Sequence, residues 1–350
     1  MKRSDVIERT ADEPETGRFI GELGDALERH ARTLPGPRRA DRRRRMPHVS
    51  RRLALAAVVA ACAAVVLLVG LDGRRASGPT TASAAAVMHE SADAVAAEAP
   101  AGLPAGAYWH NTIDVTRRER SLDTPVFEYR TTERWETWRM RDGSGRERVS
   151  PTGQVEFPTP ADRSAWADAG SADLTEPVSD RRLKATPRPF VFGSESLSYA
   201  ELQALPTDRH ALREVLGDAA ERQRAAVPGM GAFDADEARA YVLLTLIRDG
   251  FTAPVSPELR ATLYQLMAEV RGLRLEGEMT DDAGRSGTGV SVVIGDIRLV
   301  LIVDRATGAL LETRRIVLRP IRGDQFVNFR PGLLNRATYV ESGVSASAKP

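Results

Sequence analysis

Apolar and polar positions alternate with several different periods along the chain, and one stretch shows no polar period at all. Leu53 to Leu71 (LALAAVVAACAAVVLLVGL) runs nineteen residues without a charge. At about 1.5 Å of rise per residue, a helix of that length spans roughly 28 Å, close to the hydrocarbon thickness of a bilayer. A core helix of a globular domain keeps a polar stripe, and this stretch has none on any face. The pattern therefore predicts one transmembrane helix over 53–71. A cleaved lipoprotein-type signal ending at Val59-Ala60-Ala61-Cys62 is the alternative, but nine apolar residues follow Cys62 and a long segment precedes the span.

Before that stretch, residues 1–15 are polar and acidic, with the composition of a disordered segment. Over 16–34 a helical period appears, with Phe19, Ile20, Leu23 and Leu27 on one face, and Pro35-Gly36-Pro37 ends it. A helix this short is marginal alone in water, so its apolar face takes a partner, lies on a membrane, or frays.

After a linker at 72–79, the pattern over 80–342 mixes both periods. Helices are expected at 80–98, from Ser198 (a Ser198-Tyr199-Ala200-Glu201 capping box), after Thr207 or Asp208, over 234–248, and after Ser256-Pro257. Strands are expected at 107–117 and 126–140, in a closing meander at 273–279, 289–294, 297–303 and 310–318, and near 338–341. In the second strand, Trp135 and Trp138 fall on opposite sides, one in the core and one more exposed. Residues 151–192 read as long loops, with a weak strand near 188–192, and 343–350 as a disordered C-terminus. Strands, then helices, then strands predict an α+β fold: an extracytoplasmic antiparallel sheet with helices covering one face.

Charge gives this topology a direction. Residues 1–52 carry fourteen basic against nine acidic side chains, with Arg42, Arg43, Arg44, Arg45, Arg51 and Arg52 flanking the apolar stretch. The positive-inside rule places this tail in the cytoplasm and 80–342 outside, in a single-pass protein of the cell membrane. The arginines suit anionic lipid at the membrane flank, and the mildly acidic remainder argues against nucleic acid as a partner. Cys62 is the only cysteine, so the outer domain has no disulfide or thiolate metal site.

No catalytic constellation emerges, and the chain reads as a non-enzyme without cofactor or metal. His30 and His48 lack a Cys or second His at ligand spacing, and His89, His110 and His210 read as solvated or capping residues. Gly284-Arg285-Ser286-Gly287-Thr288-Gly289 precedes a strand, so it is a hairpin turn and not a phosphate loop. Glu128, Glu133 and Glu136 near Arg130 and Arg134 read as cross-strand pairs on a wet face.

Several motifs in this order are together similar to a known family. They are Tyr108-Trp109, Leu205-Pro206-Thr207-Asp208, Val242-Leu243-Leu244, Ser256-Pro257-Glu258-Leu259-Arg260-Ala261-Thr262-Leu263-Tyr264, Asp282-Ala283-Gly284-Arg285-Ser286-Gly287 and Asp304-Arg305-Ala306-Thr307-Gly308. They resemble a poorly characterised actinobacterial family of single-pass membrane-anchored proteins, often encoded beside extracytoplasmic-function sigma factors. The outer domain resembles the half-barrel of lipoprotein carriers. The resemblance implies an anti-sigma-like envelope sensor that holds a sigma factor through Phe19, Ile20, Leu23 and Leu27, with an unidentified outer ligand. The alternatives are a lipid- or lipoprotein-binding module with an inert tail, and a structural envelope protein.

Overall fold

Local signals start most elements. The computed structural model describes residues 81–99, 102–121, 125–153, 155–226, 233–320 and 329–348. Six helices are described: α1 (Thr81–Ala96), α2 (Pro160–Asp168), α3 (Tyr199–Gln203), α4 (Arg209–Ala226), α5 (Ala235–Thr252) and α6 (Pro257–Ala268). Side-chain oxygens accept from the first-turn N–H groups that a helix leaves without partners. Ser198 and Asp234 form capping boxes with Glu201 and Glu237, Asp208 Oδ1 accepts from Ala211 N at 2.9 Å, and Ser256 Oγ accepts from Leu259 N at 3.2 Å.

Nine strands form one antiparallel sheet, in the order β4-β3-β2-β1-β11-β10-β9-β8-β7. Their ranges are β1 (Tyr108–Arg120), β2 (Glu128–Arg139), β3 (Gly145–Pro151), β4 (Ser179–Leu183), β7 (Arg274–Thr280), β8 (Ser286–Ile294), β9 (Ile297–Val303), β10 (Leu310–Val317) and β11 (Gly332–Ser345). A separate hairpin pairs β5 (Phe190–Phe192) with β6 (Glu195–Leu197). The last strand lies between β1 and β10 and so joins the N-terminal strands to the C-terminal meander.

Pairing registers assign the two faces, because side chains alternate along each strand. Val290, Val292, Leu299 and Leu301 face the helices and pack with Leu243, Ile247, Leu263 and Met267 in the main core. Full burial of each such side chain contributes about 1.5–3 kcal/mol. The opposite face carries a small apolar cluster around Val300, Ile302 and Leu311. Elsewhere it is laced by ion pairs such as Arg134–Asp114 (2.8 Å) and Arg146–Asp180 (2.6 Å).

Several expectations need correction. The transmembrane helix expected over 53–71 lies outside the described residues. Among the described residues no helix is long and apolar enough to cross a membrane; even α5, apolar in its middle, carries Asp236, Glu237, Arg239, Arg248 and Asp249. The tail helix of 16–34 also lies outside the described residues. The half-barrel gives way to an open sheet, whose edge strands β4 and β7 stand at opposite ends and do not pair.

The stretch 151–192 is not all loop. It holds α2, which lacks an apolar stripe but has Thr159 as N-cap and Pro160 in its first turn, as well as β4; the weak strand read near 188–192 is β5. Strand β11 runs well beyond 338–341. Its polar residues are matched by neighbours instead of by an apolar period: Thr338 Oγ1 donates to Glu312 Oε2 at 2.8 Å, and Arg336 meets Asp282 at 2.6 Å.

Candidate ligand-binding site

The helix layer stops short of the sheet. It covers β7 to β10, whereas the same face over β1, β2 and β11 meets only the end of α5 and the β5–β6 hairpin. Between them lies a cavity of about 180 Å³.

Its floor is set by strand alternation. Trp109, Asn111, Ile113, Val115 and Arg117 of β1 point one way, and pairing brings Ile113 beside Trp135, Asn111 beside Thr137 and Trp109 beside Arg139. Ile113 also pairs with Tyr339 of β11. Pro189, Phe190 and Val191 close the far side.

The roof is held by the exposed carbonyls of α5's last turn, which have no partner within the helix. Thr252 O accepts from Trp109 Nε1 at 3.0 Å and from Asn111 Nδ2 at 2.6 Å. Ser342 Oγ lies 2.8 Å from Phe251 O and 2.7 Å from Asn111 Oδ1. Arg248, near the negative end of the helix dipole, donates to Asp249 Oδ1 through Nε at 2.9 Å and Nη2 at 2.7 Å. Asp249 Oδ2 accepts from Gly193 N at 2.8 Å, which ties the β5–β6 turn to the helix. Gly193 has φ +66°, and a Cβ there would meet Leu246 Cδ2 at 2.9 Å. Burial pushes the Asp249 carboxyl up, against the pull of Arg248.

Two polar groups on the wall are unlike the rest. The Tyr339 hydroxyl is buried without a hydrogen bond of good geometry, although Thr313 stands beside it. Burial pushes this phenol up to about 12, so it stays protonated at neutral pH. Arg139 donates through Nη1 to Pro189 O at 2.5 Å. Among the described residues no carboxylate lies within ion-pair distance of it; burial lowers its pKa, against the more distant pull of Glu147. The wall's other cations have counter-charges: Arg117 meets Glu133 at 3.1 Å and Arg248 meets Asp249 at 2.7 Å. Glu147, on the same wall, accepts from Arg181 at 2.7 Å.

A larger groove of about 810 Å³ runs between α4, α5 and α6. Its rim is charged and paired within itself, as in Arg213–Glu269 at 2.6 Å and Arg239–Asp236 at 3.5 Å. It is a solvated helix junction.

Phe19, Ile20, Leu23 and Leu27, and the flanking Arg42, Arg43, Arg44, Arg45, Arg51 and Arg52, lie outside the described residues. The two β2 tryptophans do face opposite sides, but Trp138, on the charged face, is the fully buried one, stacked on His110 at 4.7 Å. His110 is thus a packing residue, its side chain 14% exposed. Glu133 belongs to the cavity face, apart from Glu128 and Glu136. Sequence reasoning missed Arg139 and Tyr339. The period-two alternation of β2 could have placed Arg139 on the Trp135 face.

No protein-family model matches the chain, and no curated protein matches it. The resemblance to the membrane-anchored actinobacterial family is corrected accordingly. In this fold several of the motifs that suggested it are caps and turns: Asp208 caps α4, Ser256-Pro257 opens α6, and Asp304 to Gly308 turns β9 into β10, while Tyr108-Trp109 starts β1 and Val242 to Leu244 are core residues of α5. Caps and turns recur wherever helices start and hairpins turn, so they carry little family information. The envelope-sensor function, the sigma-factor and membrane partners and the single-pass cell-membrane localisation rested on that resemblance and on a span that no described helix supplies. With the resemblance unmatched and the span outside the described residues, none of them is carried further, nor are the lipid-module and structural-envelope alternatives that shared the same topology.

Proposed function

We propose that this domain is a non-catalytic receptor for a small, largely apolar molecule, held between the sheet and the end of α5. The observation that carries this reading is the cavity itself, a concave space between the sheet and the end of α5 whose wall combines Trp109, Ile113 and Trp135 with the Arg139 guanidinium. The pocket is concave, with an apolar floor and several polar and charged groups on its wall, a make-up compatible with a ligand site. Most of its polar groups are already engaged with each other or with backbone, which suits holding a molecule better than moving protons.

The test is a titration of the full-length protein with benzyl alcohol, followed by tryptophan fluorescence. Trp109 and Trp135 line the cavity, so saturable quenching is expected. Filling the space with Ala337→Phe, in a variant whose circular dichroism matches the wild type, should abolish it. Quenching that survives the filled cavity would overturn the reading.

A further inference from the structure

The receptor reading leaves open what kind of molecule enters, and charge and size narrow it. The cavity of about 180 Å³ compares with the roughly 150 Å³ at which an engineered apolar cavity in another protein takes up benzene. It therefore has room for one ring and a small polar group. Ile113 and Trp135, directly paired across β1 and β2, form the apolar part of the floor, with the Arg117 guanidinium over one face of the Trp135 ring at 5.2 Å. Arg139 sits on the same strand face as Trp135, four residues further along β2. A guanidinium has five N–H donors in a planar fork, and here one goes to the Pro189 carbonyl. A buried cation lacking an ion pair is costly, and a bound anion offsets that cost through charge-assisted, two-point hydrogen bonds.

Resting on that reading, we infer that the ligand is a single-ring carboxylate, its carboxylate on the Arg139 guanidinium and its ring against Trp135 and Ile113. Burial lowers the Arg139 pKa against the pull of Glu147, a carboxylate that stands beyond ion-pair distance and is itself held by Arg181 at 2.7 Å. The apolar floor favours a ring-bearing carboxylate over a bare inorganic anion, because phosphate or sulfate would leave Trp135 and Ile113 uncovered. Tyr339 lies away from Arg139 along the sheet, since Ile113, its register partner, is four residues along β1 from Trp109, the partner of Arg139. It plays no part in holding the carboxylate.

The experiment is isothermal titration of the full-length protein with benzoate and with its neutral analogue benzyl alcohol. Wild-type protein is expected to prefer benzoate by about tenfold or more, the ratio a charge-assisted contact supplies. Arg139→Gln should remove that preference while leaving benzyl alcohol binding in place, and Arg139→Lys should restore part of it. Equal binding of the two compounds by the wild type would overturn the inference and leave the receptor reading standing, as would an unchanged preference in Arg139→Gln. Binding of neither compound would overturn both. Should Arg139→Gln fail to fold without its bond to Pro189, the wild-type comparison and Arg139→Lys still decide.

Discussion

Removing the Asp249 carboxylate tests how the roof of the cavity is held. Asp249 is 1% exposed and has two partners: the guanidinium of Arg248, itself only 16% exposed, and the N–H of Gly193. In Asp249→Ala the guanidinium keeps its charge in a largely closed site, and the Gly193 N–H loses its acceptor. Breaking a buried ion pair from one side costs about 3–5 kcal/mol. An orphaned N–H costs about 1–3 kcal/mol, partly counted already in the first figure. A loss of about 4 kcal/mol is expected, a large share of the roughly 5–15 kcal/mol that holds a typical domain. Asp249→Asn keeps an acceptor for Gly193 and should lose about 1–2 kcal/mol less than the alanine variant.

The pair as a whole adds little, because burial works against its charges; what is costly is to strand one of them. Arg248→Met combined with Asp249→Asn should therefore be more stable than Asp249→Ala. Urea unfolding followed by tryptophan fluorescence measures all three variants, provided the denaturant slope is unchanged. A loss under about 1 kcal/mol for Asp249→Ala, or a double variant no better than it, would refute this account of the roof.

Other consequences can be measured in the same way. Asp162 is held low: burial pushes it up, but the Thr159 hydroxyl, the Glu128 N–H and the Arg330 guanidinium outweigh that. A lowered folded pKa gives stability that is present above the unfolded value, about pH 4, and lost as pH falls through the folded value. The stability gap between wild type and Asp162→Asn should therefore be full at pH 6 and shrink steadily below about pH 4; a gap that widens on acidification would contradict this. Tyr264→Phe removes the bond from the buried phenol to Gly308 O at 3.0 Å and should cost about 1–2 kcal/mol by the same urea assay. Tyr339→Phe, which removes a hydroxyl without a good partner, should change stability by under about 0.5 kcal/mol in ligand-free protein. A larger loss would show that the hydroxyl has a partner. Ser256→Ala, which removes the α6 cap, should cost about 1 kcal/mol.

The parts of the fold that were legible in the sequence are those written in local chemistry. Ser198-Glu201, Asp234 and Ser256-Pro257 marked helix starts because cap residues satisfy N–H groups a few positions away. The hairpin turn read from Gly284 onward was close for a similar reason: the turn is Asp281 to Arg285, where Asp281 Oδ1 accepts from Arg285 N at 2.8 Å and Gly284 takes φ +82°, and Ser286 to Gly289 already belong to β8. The sheet order was not legible, because it depends on partners far apart in sequence. Strand β11 is central, yet its side chains Asn335, Arg336 and Thr338 look like loop residues until Thr116, Asp282 and Glu312 are set beside them. Several of the motifs behind the family resemblance misled for the same reason that they were legible: caps and turns are common to many folds. Two of the cavity's aromatic residues, Trp109 and Trp135, stood out in the chain. Its charge could not be read, because whether Arg139 has a counter-ion is settled only by the positions of Glu147, Arg181 and Pro189.

The most direct test of the central claim is the tryptophan indole region of a ¹⁵N–¹H correlation spectrum, recorded while benzoate is added to the full-length protein. The chain has four tryptophans: Trp109 and Trp135 on the cavity wall, Trp138 on the opposite face, and Trp166 on α2. The account predicts saturable shifts of the Trp109 and Trp135 indole signals, with Trp138 and Trp166 unmoved. Shifts confined to Trp138 or Trp166, or no shift at any of the four, would contradict it.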